Sequence, residues 1–144
     1  MTKTIFVLNG PNLNLLGTRE PEVYGSATLD DIAAKLTDHA ATFGIALDIR
    51  QSNHEGHLID WLHEAWASGA HAVIINPGGY SHTSVALHDA VKAIATPVIE
   101  VHLSDPATRE PFRHTDLVAL AASLVIKGEG ARGYLTALDA AARL

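Results

Sequence analysis

The stretch that decides the fold reads TIFVL at residues 4–8 and continues as NGPNLNLLGTREPEVYG at residues 9–25. Its first part is an apolar strand pattern, and its second part is a long segment interrupted by glycine and proline. Connections between elements ordinarily have about 4–6 residues, so this length favours a functional loop, typically a mobile active-site lid. Arg19 and Tyr24 are its reactive candidates, because an arginine beside a phenol stabilises the phenolate, which can act as a base.

The rest of the chain alternates short apolar runs with amphipathic patterns. Continuous runs rich in valine and isoleucine are typical of strands in a parallel sheet covered on both faces. They predict strands over Ile5–Leu8, Ala46–Arg50, Ala72–Asn76, Val98–His102 and Leu124–Lys127. Apolar residues at helical spacing predict helices over Thr28–Phe43, Glu55–Ser68, Ser84–Ala95 and Gly133–Leu144. This series of five βα units predicts one α/β domain over residues 1–144, a flavodoxin-like, doubly wound five-stranded parallel sheet of strand order 2-1-3-4-5.

Composition excludes several classes of function. Hydrophobic residues make up 47% of the chain, which is typical of a globular protein, and the net charge of -6 gives a nucleic-acid partner no general support. The chain has no cysteine, which excludes disulfides, a thiol nucleophile and cysteine metal sites. No apolar signal segment precedes the first strand, and no apolar run approaches the ~18 residues that span a bilayer. We therefore expect a soluble, cytoplasmic protein without a membrane partner.

Polar residues are concentrated where the predicted strands end. In an open parallel sheet, ligands bind beyond the carboxyl ends of the strands. After the third strand, Asn76 and His82 could hydrogen-bond a hydroxylated ligand. The alternative is an ordinary βα turn, in which Gly78 and Gly79 allow the backbone to turn and Thr83 or Ser84 caps the next helix.

The fourth strand ends in a carboxylate and an imidazole. Glu100 and His102 are two residues apart, so their side chains share one face of the strand. A carboxylate beside an imidazole fixes its tautomer and supports the protonated form that a general acid needs; a structural ion pair is the alternative. Further on, Arg109 and Arg113 could bind a small anion in the fixed fork of a guanidinium group, or they could belong to a solvated charged loop.

Several segments taken together resemble type II 3-dehydroquinate dehydratase. They are LNGPNLNLLGTREPEVYG (8–25), QSNHEGHLIDWLHEA (51–65), INPGGYSHTSVALHDA (75–90), IEVHLSDPATREPFRH (99–114) and GYLTAL (133–138). The resemblance implies a flavodoxin-like fold, no metal or cofactor, and a homododecamer of four trimers. It also implies dehydration of 3-dehydroquinate to 3-dehydroshikimate through an enolate, in the shikimate pathway of aromatic amino acid biosynthesis or in quinate catabolism.

The same resemblance assigns roles to individual residues. Tyr24 resembles the general base and Arg19 the residue that activates it. His102 resembles the general acid, with Glu100 as its partner, and Asn12 resembles a group that acts on the enolate through a water molecule. The substrate-binding set comprises Asn76, His82, Arg113 and the backbone of Leu103 and Ser104, and Asp89 resembles an acid that reaches the site of a neighbouring subunit.

Two functions from different classes remain open at this point. The favoured one is a cofactor-free lyase. The other is a flavodoxin-like binding module that uses the glycine turn after the third strand for a phosphate or mononucleotide. The chain lacks the G-x-x-x-x-G-K-[ST] and G-x-G-x-x-G signatures of such modules, and Tyr24, Glu100 and His102 would then have no role. His54 and His57 have no third ligand at suitable spacing, so no metal site is predicted.

Overall fold

A five-stranded parallel sheet of order β2-β1-β3-β4-β5 forms the centre of the molecule. The computed structural model describes residues 2–18 and 20–144, without the side chain of Tyr24. The strands are β1 (Thr4–Asn9), β2 (Ala46–Gln51), β3 (Ala72–Asn76), β4 (Val98–Val101) and β5 (Leu124–Ile126). This confirms the predicted fold class and strand order, and each strand boundary lies within one residue of its prediction.

Helices cover both faces of the sheet. They are α1 (Pro21–Tyr24), α2 (Leu29–Ala41), α3 (Glu55–Ala67), α4 (Val85–Ala93) and α5 (Arg132–Ala142). Successive side chains of a strand point to opposite faces. Ile5 and Val7 of β1 accordingly pack in the cluster that contains the buried residues of α2 and α5. Phe6 and Leu8 pack in the cluster that contains those of α3 and α4. Among the described residues, no helix combines the length and the apolar character that crossing a membrane requires.

The connection from β4 to β5 departs from the predicted series of βα units. All of its residues are described, and it contains no α-helix. It forms two short 3₁₀ helices instead, over Pro106–Thr108 and Pro111–Arg113. Each begins with a proline, which fits the first turn of a helix but interrupts a longer one because it lacks the backbone N–H. No helix was predicted over these residues, but the description as five βα units required one and is wrong at this point. The resulting irregular segment lies at the carboxyl end of β4.

The long connection after β1 is anchored at both ends. Leu13 and Leu16 are buried in the core, and Thr28 begins α2 with a capping box in which it exchanges hydrogen bonds with Asp31. Gly17 (φ 94°) and Gly25 (φ 85°) have positive φ angles, which glycine adopts without strain. The segment that carries Arg19 and Tyr24 in the sequence thus lies between two glycine turns.

Candidate active site

A cavity of about 260 Å³ opens at the carboxyl ends of the central strands, where the sequence predicted a site. The loops after β1, β3 and β4 form its wall. Seven of the predicted site residues line it: Asn12, Asn76, His82, His102, Leu103, Ser104 and Arg113. Parallel strands end at the same edge of a sheet, so the topology brings together residues that are distant in the sequence.

Close backbone contacts hold the first loop against the third. Gly10 donates its backbone N–H to the carbonyl of Asn76 at 2.8 Å. A Cβ at Gly10 would lie 2.7 Å from the carbonyl oxygen of Pro77, so only glycine fits this approach. Asn12 follows in the left-handed region at φ 68°, which asparagine tolerates better than most residues. Its backbone N–H donates to Asn53 Oδ1 at 3.0 Å, so the loop after β2 also supports the cavity wall.

A buried hydrogen-bond network positions Asn76. Its Nδ2 donates to the hydroxyl of Tyr134 at 3.1 Å, and that hydroxyl donates to Asn9 Oδ1 at 2.6 Å. Asn76 Oδ1 accepts from the backbone N–H of Gly78 at 3.1 Å. Burial raises the pKa of Tyr134, so its hydroxyl stays neutral and can donate. An amide nitrogen carries two donors, so within the part of the chain that the structure describes the second N–H of Asn76 is available to a ligand.

His82 has one ring nitrogen committed to the backbone. It ends the 3₁₀ helix over Gly78–His82, and its Nδ1 lies 2.7 Å from the carbonyl oxygen of Thr115. A carbonyl can only accept, so Nδ1 carries the proton. In the neutral imidazole, Nε2 is then an acceptor. This tautomer suits a ligand that offers a hydroxyl group.

His102 contacts two carboxylates through the same nitrogen. Its Nε2 hydrogen-bonds Oε2 of Glu100, as the spacing of these residues predicted, and it lies 3.3 Å from Oδ2 of Asp116. Glu100 is fully buried and His102 is 7% exposed, so water screens these contacts little. Asp116 was missed in the sequence because it lies in the irregular connection to β5, where no periodic pattern marks it.

The three groups shift one another's protonation. Burial alone would lower the pKa of His102, but hydrogen bonds with Asp116 and Glu100 raise it to about 9. Burial raises the pKa of Glu100 to about 7 despite the hydrogen bond from His102. Burial would also raise the pKa of Asp116, but hydrogen bonds with His102 and Glu100 lower it to about 2. At neutral pH the cavity therefore presents an imidazolium, which is the form that can donate a proton.

These residues are also the ones that could hold a metal ion. Within the described residues, Glu100, His102 and Asp116 form the one group of acidic and histidine side chains with suitable ligand atoms, all within 4.8 Å of one another. The contacts among them are hydrogen bonds and charge pairs between one imidazole and two carboxylates. The chemistry it supports directly is proton transfer.

Two arginines add positive charge to the cavity. Arg113 Nε lies 3.2 Å from Glu110 Oε1, and its guanidinium stacks on the ring of Phe112. Arg109, which the sequence paired with Arg113 but to which the resemblance assigned no role, lines the cavity as well. Its Nη2 lies 3.6 Å from Glu20 Oε2, so it links the cavity wall to the beginning of α1. Guanidinium groups at this position favour an anionic ligand.

Four predicted residues are not among those shown to line the cavity. Glu100 is fully buried and contacts His102, which does line it. Asp89 lies on α4, where its side chain is 69% exposed and contacts His88 Nδ1 at 2.9 Å. Arg19 and the side chain of Tyr24 lie outside the described residues, so their roles stay predictions. Tyr134, in contrast, belongs to the site although the sequence indicated only a core residue of the last helix. The available sign in the sequence was that β1 and β3 end in asparagines, Asn9 and Asn76. Buried side chains of this kind need a buried hydrogen-bond partner.

Comparisons with known proteins agree on one family. The family described as Dehydroquinase class II matches residues 3–142. The 3-dehydroquinate dehydratase of Caulobacter vibrioides is 57% identical over 141 residues, which covers 98% of this chain and 96% of that protein. The protein of the same name from Rhodopseudomonas palustris is 55% identical and covers 96% of this chain and 92% of its own length. The crystal structure of type II dehydroquinase from Propionibacterium acnes matches with a TM-score of 0.95 at 42% identity, over 100% of this chain and 99% of that one.

Proposed function

The chain belongs to the dehydroquinase class II family, and we propose that it converts 3-dehydroquinate to 3-dehydroshikimate through an enolate by acid–base catalysis. Dehydration of 3-dehydroquinate follows from membership of the family; the proposal concerns the intermediate and the residues. The observation that carries it is the buried pair of Glu100 and His102 at the wall of a cavity that also contains arginines. Elimination of water beta to a ketone needs a base, a stabilised enolate and an acid.

Tyr24 acts as the base that removes the alpha proton. A free phenol has a pKa of about 10, so a tyrosine base at neutral pH needs a nearby cation, and Arg19 on the same segment supplies one. The neighbours of Tyr24 in the sequence support this role. Val23 and Gly25 border a surface depression together with Leu103 and Ser104, and these last two residues also line the cavity. The residues on both sides of Tyr24 thus share this depression with two residues of the cavity, which supports the proposed role of Tyr24.

His102 acts as the acid that protonates the departing hydroxyl group. Both of its carboxylate contacts are made by Nε2, so the proton on Nδ1 is the one available to the substrate. When it moves to the leaving oxygen, the carbon–oxygen bond breaks and water departs, and the enolate electrons form the new double bond. The proton removed by Tyr24 balances the one that His102 gives up.

The other cavity residues bind the substrate. Arg113 pairs with its carboxylate, because a guanidinium offers two parallel donors. His82 Nε2 and the free N–H of Asn76 bind hydroxyl groups, and the backbone N–H groups of Leu103 and Ser104 add further donors. Asn12 holds the water molecule that stabilises the enolate oxygen.

The proposal extends to a homododecamer of four trimers in which Asp89 reaches the site of a neighbouring subunit. Its side chain on α4 is 69% exposed, so it is accessible to a neighbouring subunit. Size-exclusion chromatography with multi-angle light scattering tests this assembly. A fully active monomer would contradict both the assembly and the role of Asp89.

The direct test is ultraviolet absorbance after adding 3-dehydroquinate, because the product is a conjugated enone. We expect turnover by the wild type and a loss of roughly 10²–10⁴-fold for His102→Gln. The matched control is His39→Gln, because His39 also pairs with a carboxylate, that of Asp139 at 2.6 Å, outside the cavity. Its turnover should stay near that of the wild type. A folded wild type that gives no absorbance change would favour the binding-module alternative.

A further inference from the structure

His102 has a second carboxylate neighbour that comes from a different part of the chain than Glu100. Asp116 lies in the connection from β4 to β5, with Oδ2 3.3 Å from His102 Nε2 and a side chain that is 20% exposed. Its other oxygen, Oδ1, accepts a hydrogen bond from the backbone N–H of Ala119 at 3.0 Å. That bond holds the carboxylate in place and favours its ionised form. Asp116 is thus a fixed negative charge beside the imidazole.

We propose that Asp116 is a positioning residue for the acid step: its fixed carboxylate orients the His102 ring and stabilises the imidazolium. The inference rests on the proposed function, since His102 must be an acid for this to matter. Asp116 itself acts on the substrate only through His102.

The two carboxylates have different parts in this arrangement. Glu100 is fully buried, and burial raises its pKa to about 7, so near neutral pH it is ionised for only part of the time. Burial would raise the pKa of Asp116 too, but hydrogen bonds with His102 and Glu100, and then with the backbone N–H of Ala119, hold it down at about 2. Asp116 therefore supplies a constant negative charge beside the imidazolium. Glu100, on β4, fixes the orientation of the His102 ring through its hydrogen bond.

Other charged groups around the cavity do not replace this contact. His82, Arg109 and Arg113 line the same cavity. As cations, the two arginines oppose rather than support protonation of His102. Glu100 and Asp116 are the acidic groups that contact its ring within the described residues.

The test is Asp116→Asn, which removes the charge but keeps an oxygen for the N–H of Ala119. Histidine-selective ¹³C NMR on the ligand-free protein follows the titration of His102, whose signal is assigned with His102→Gln. We expect the pKa of His102 to fall by roughly 1–3 pH units. The alkaline limb of the pH profile of kcat should move to lower pH by a similar amount, because it reports the acid in the enzyme–substrate complex.

The matched control is Asp139→Asn. It also removes one carboxylate from a histidine, His39, which lies outside the cavity. This variant should leave the titration of His102 and the pH profile unchanged. If Asp116→Asn does not fold, Asp116→Ser takes its place, because serine also offers an acceptor to the N–H of Ala119.

Two outcomes decide between the inference and the function on which it rests. An active wild type, together with an Asp116→Asn variant whose His102 titration and alkaline limb match the wild type, would overturn the inference. A shifted His102 titration in a chain that forms no product would support the electrostatic role of Asp116 and overturn the proposed function. A uniform loss of kcat at every pH, with no shift in the titration, would indicate a merely structural residue and also overturn the inference.

Discussion

Replacing Tyr134 with phenylalanine should destabilise the fold and loosen the substrate side of the cavity. The Tyr134 hydroxyl donates to Asn9 Oδ1 at 2.6 Å and accepts from Asn76 Nδ2 at 3.1 Å. All three residues are buried. Phenylalanine keeps the packing of the ring, but it leaves one buried acceptor and one buried donor without this partner.

The expected loss follows from these two groups. Each buried polar group left without a partner costs about 1–3 kcal/mol, so the free energy of unfolding should fall by roughly 2–6 kcal/mol. Urea denaturation has a slope of about 1–3 kcal/mol per molar for small proteins, so even the low end of that loss lowers the midpoint by roughly 0.7–2 M. KM should also rise, because Asn76 loses a bond that holds its amide towards the substrate.

The assay is urea denaturation followed by tryptophan fluorescence and circular dichroism, with steady-state kinetics on the same preparations. Tyr80→Phe is the matched control, because the Tyr80 hydroxyl donates to the carbonyl of Asn53 at 2.8 Å in an exposed position. Water can replace that bond, so the control should lose only about 0.5–1.5 kcal/mol. Equal midpoints for Tyr134→Phe and Tyr80→Phe would refute the reasoning about the buried network.

Three further changes test other parts of the molecule. Gly10→Ala should lose roughly 1–3 kcal/mol of stability, because its Cβ would lie 2.7 Å from the carbonyl oxygen of Pro77; an unchanged urea midpoint would contradict this. Burial alone would lower the pKa of His102, but hydrogen bonds with its two carboxylates raise it to about 9 from 6.5. Its contribution to stability is therefore complete below about pH 6.5 and disappears as the pH rises to about 9, so urea midpoints measured across this range should fall more for the wild type than for His102→Gln. Arg113→Lys should raise KM on the order of tenfold, since losing one hydrogen bond to a charged group costs about 1.5 kcal/mol; steady-state kinetics with an unchanged KM would argue against a contact between Arg113 and the substrate carboxylate.

Most of the fold was predictable because the burial of strands and helices requires apolar residues at regular, short-range spacing in the sequence. Strands covered on both faces must be continuously apolar, which made Ala72–Asn76 recognisable to the residue. The beginning of the predicted helix at Thr28 was equally close, because the capping contact of Thr28 with Asp31 depends on residues within one helical turn. The connection from β4 to β5 was not predictable in this way. Its prolines begin two 3₁₀ helices, and the path of such short helices depends on the residues against which they pack.

The site was predictable where it depends on strand direction or on spacing along one strand. Parallel strands bring their carboxyl ends to one edge, so Asn12, Asn76 and His102 meet around one cavity. Glu100 meets His102 because they share one face of β4. Asp116 was not predictable, since its contact with His102 depends on the path of an irregular segment. Asp89, Arg19 and Tyr24 keep the roles that the resemblance implied, as predictions.

The sequence by itself determined that the long segment after β1 leads from a buried strand towards a site at the carboxyl edge of a parallel sheet. Chain order and apolar periodicity are sufficient for that, because they specify strand direction and the buried faces. Only the tertiary structure decided which polar groups from separate elements of the fold contact one another. Tyr134 contacts Asn9 across 125 positions of the chain, and Asp116 reaches His102 from the next connection. Such pairings depend on where the backbone places each group once water is excluded, and no short-range pattern contains that information.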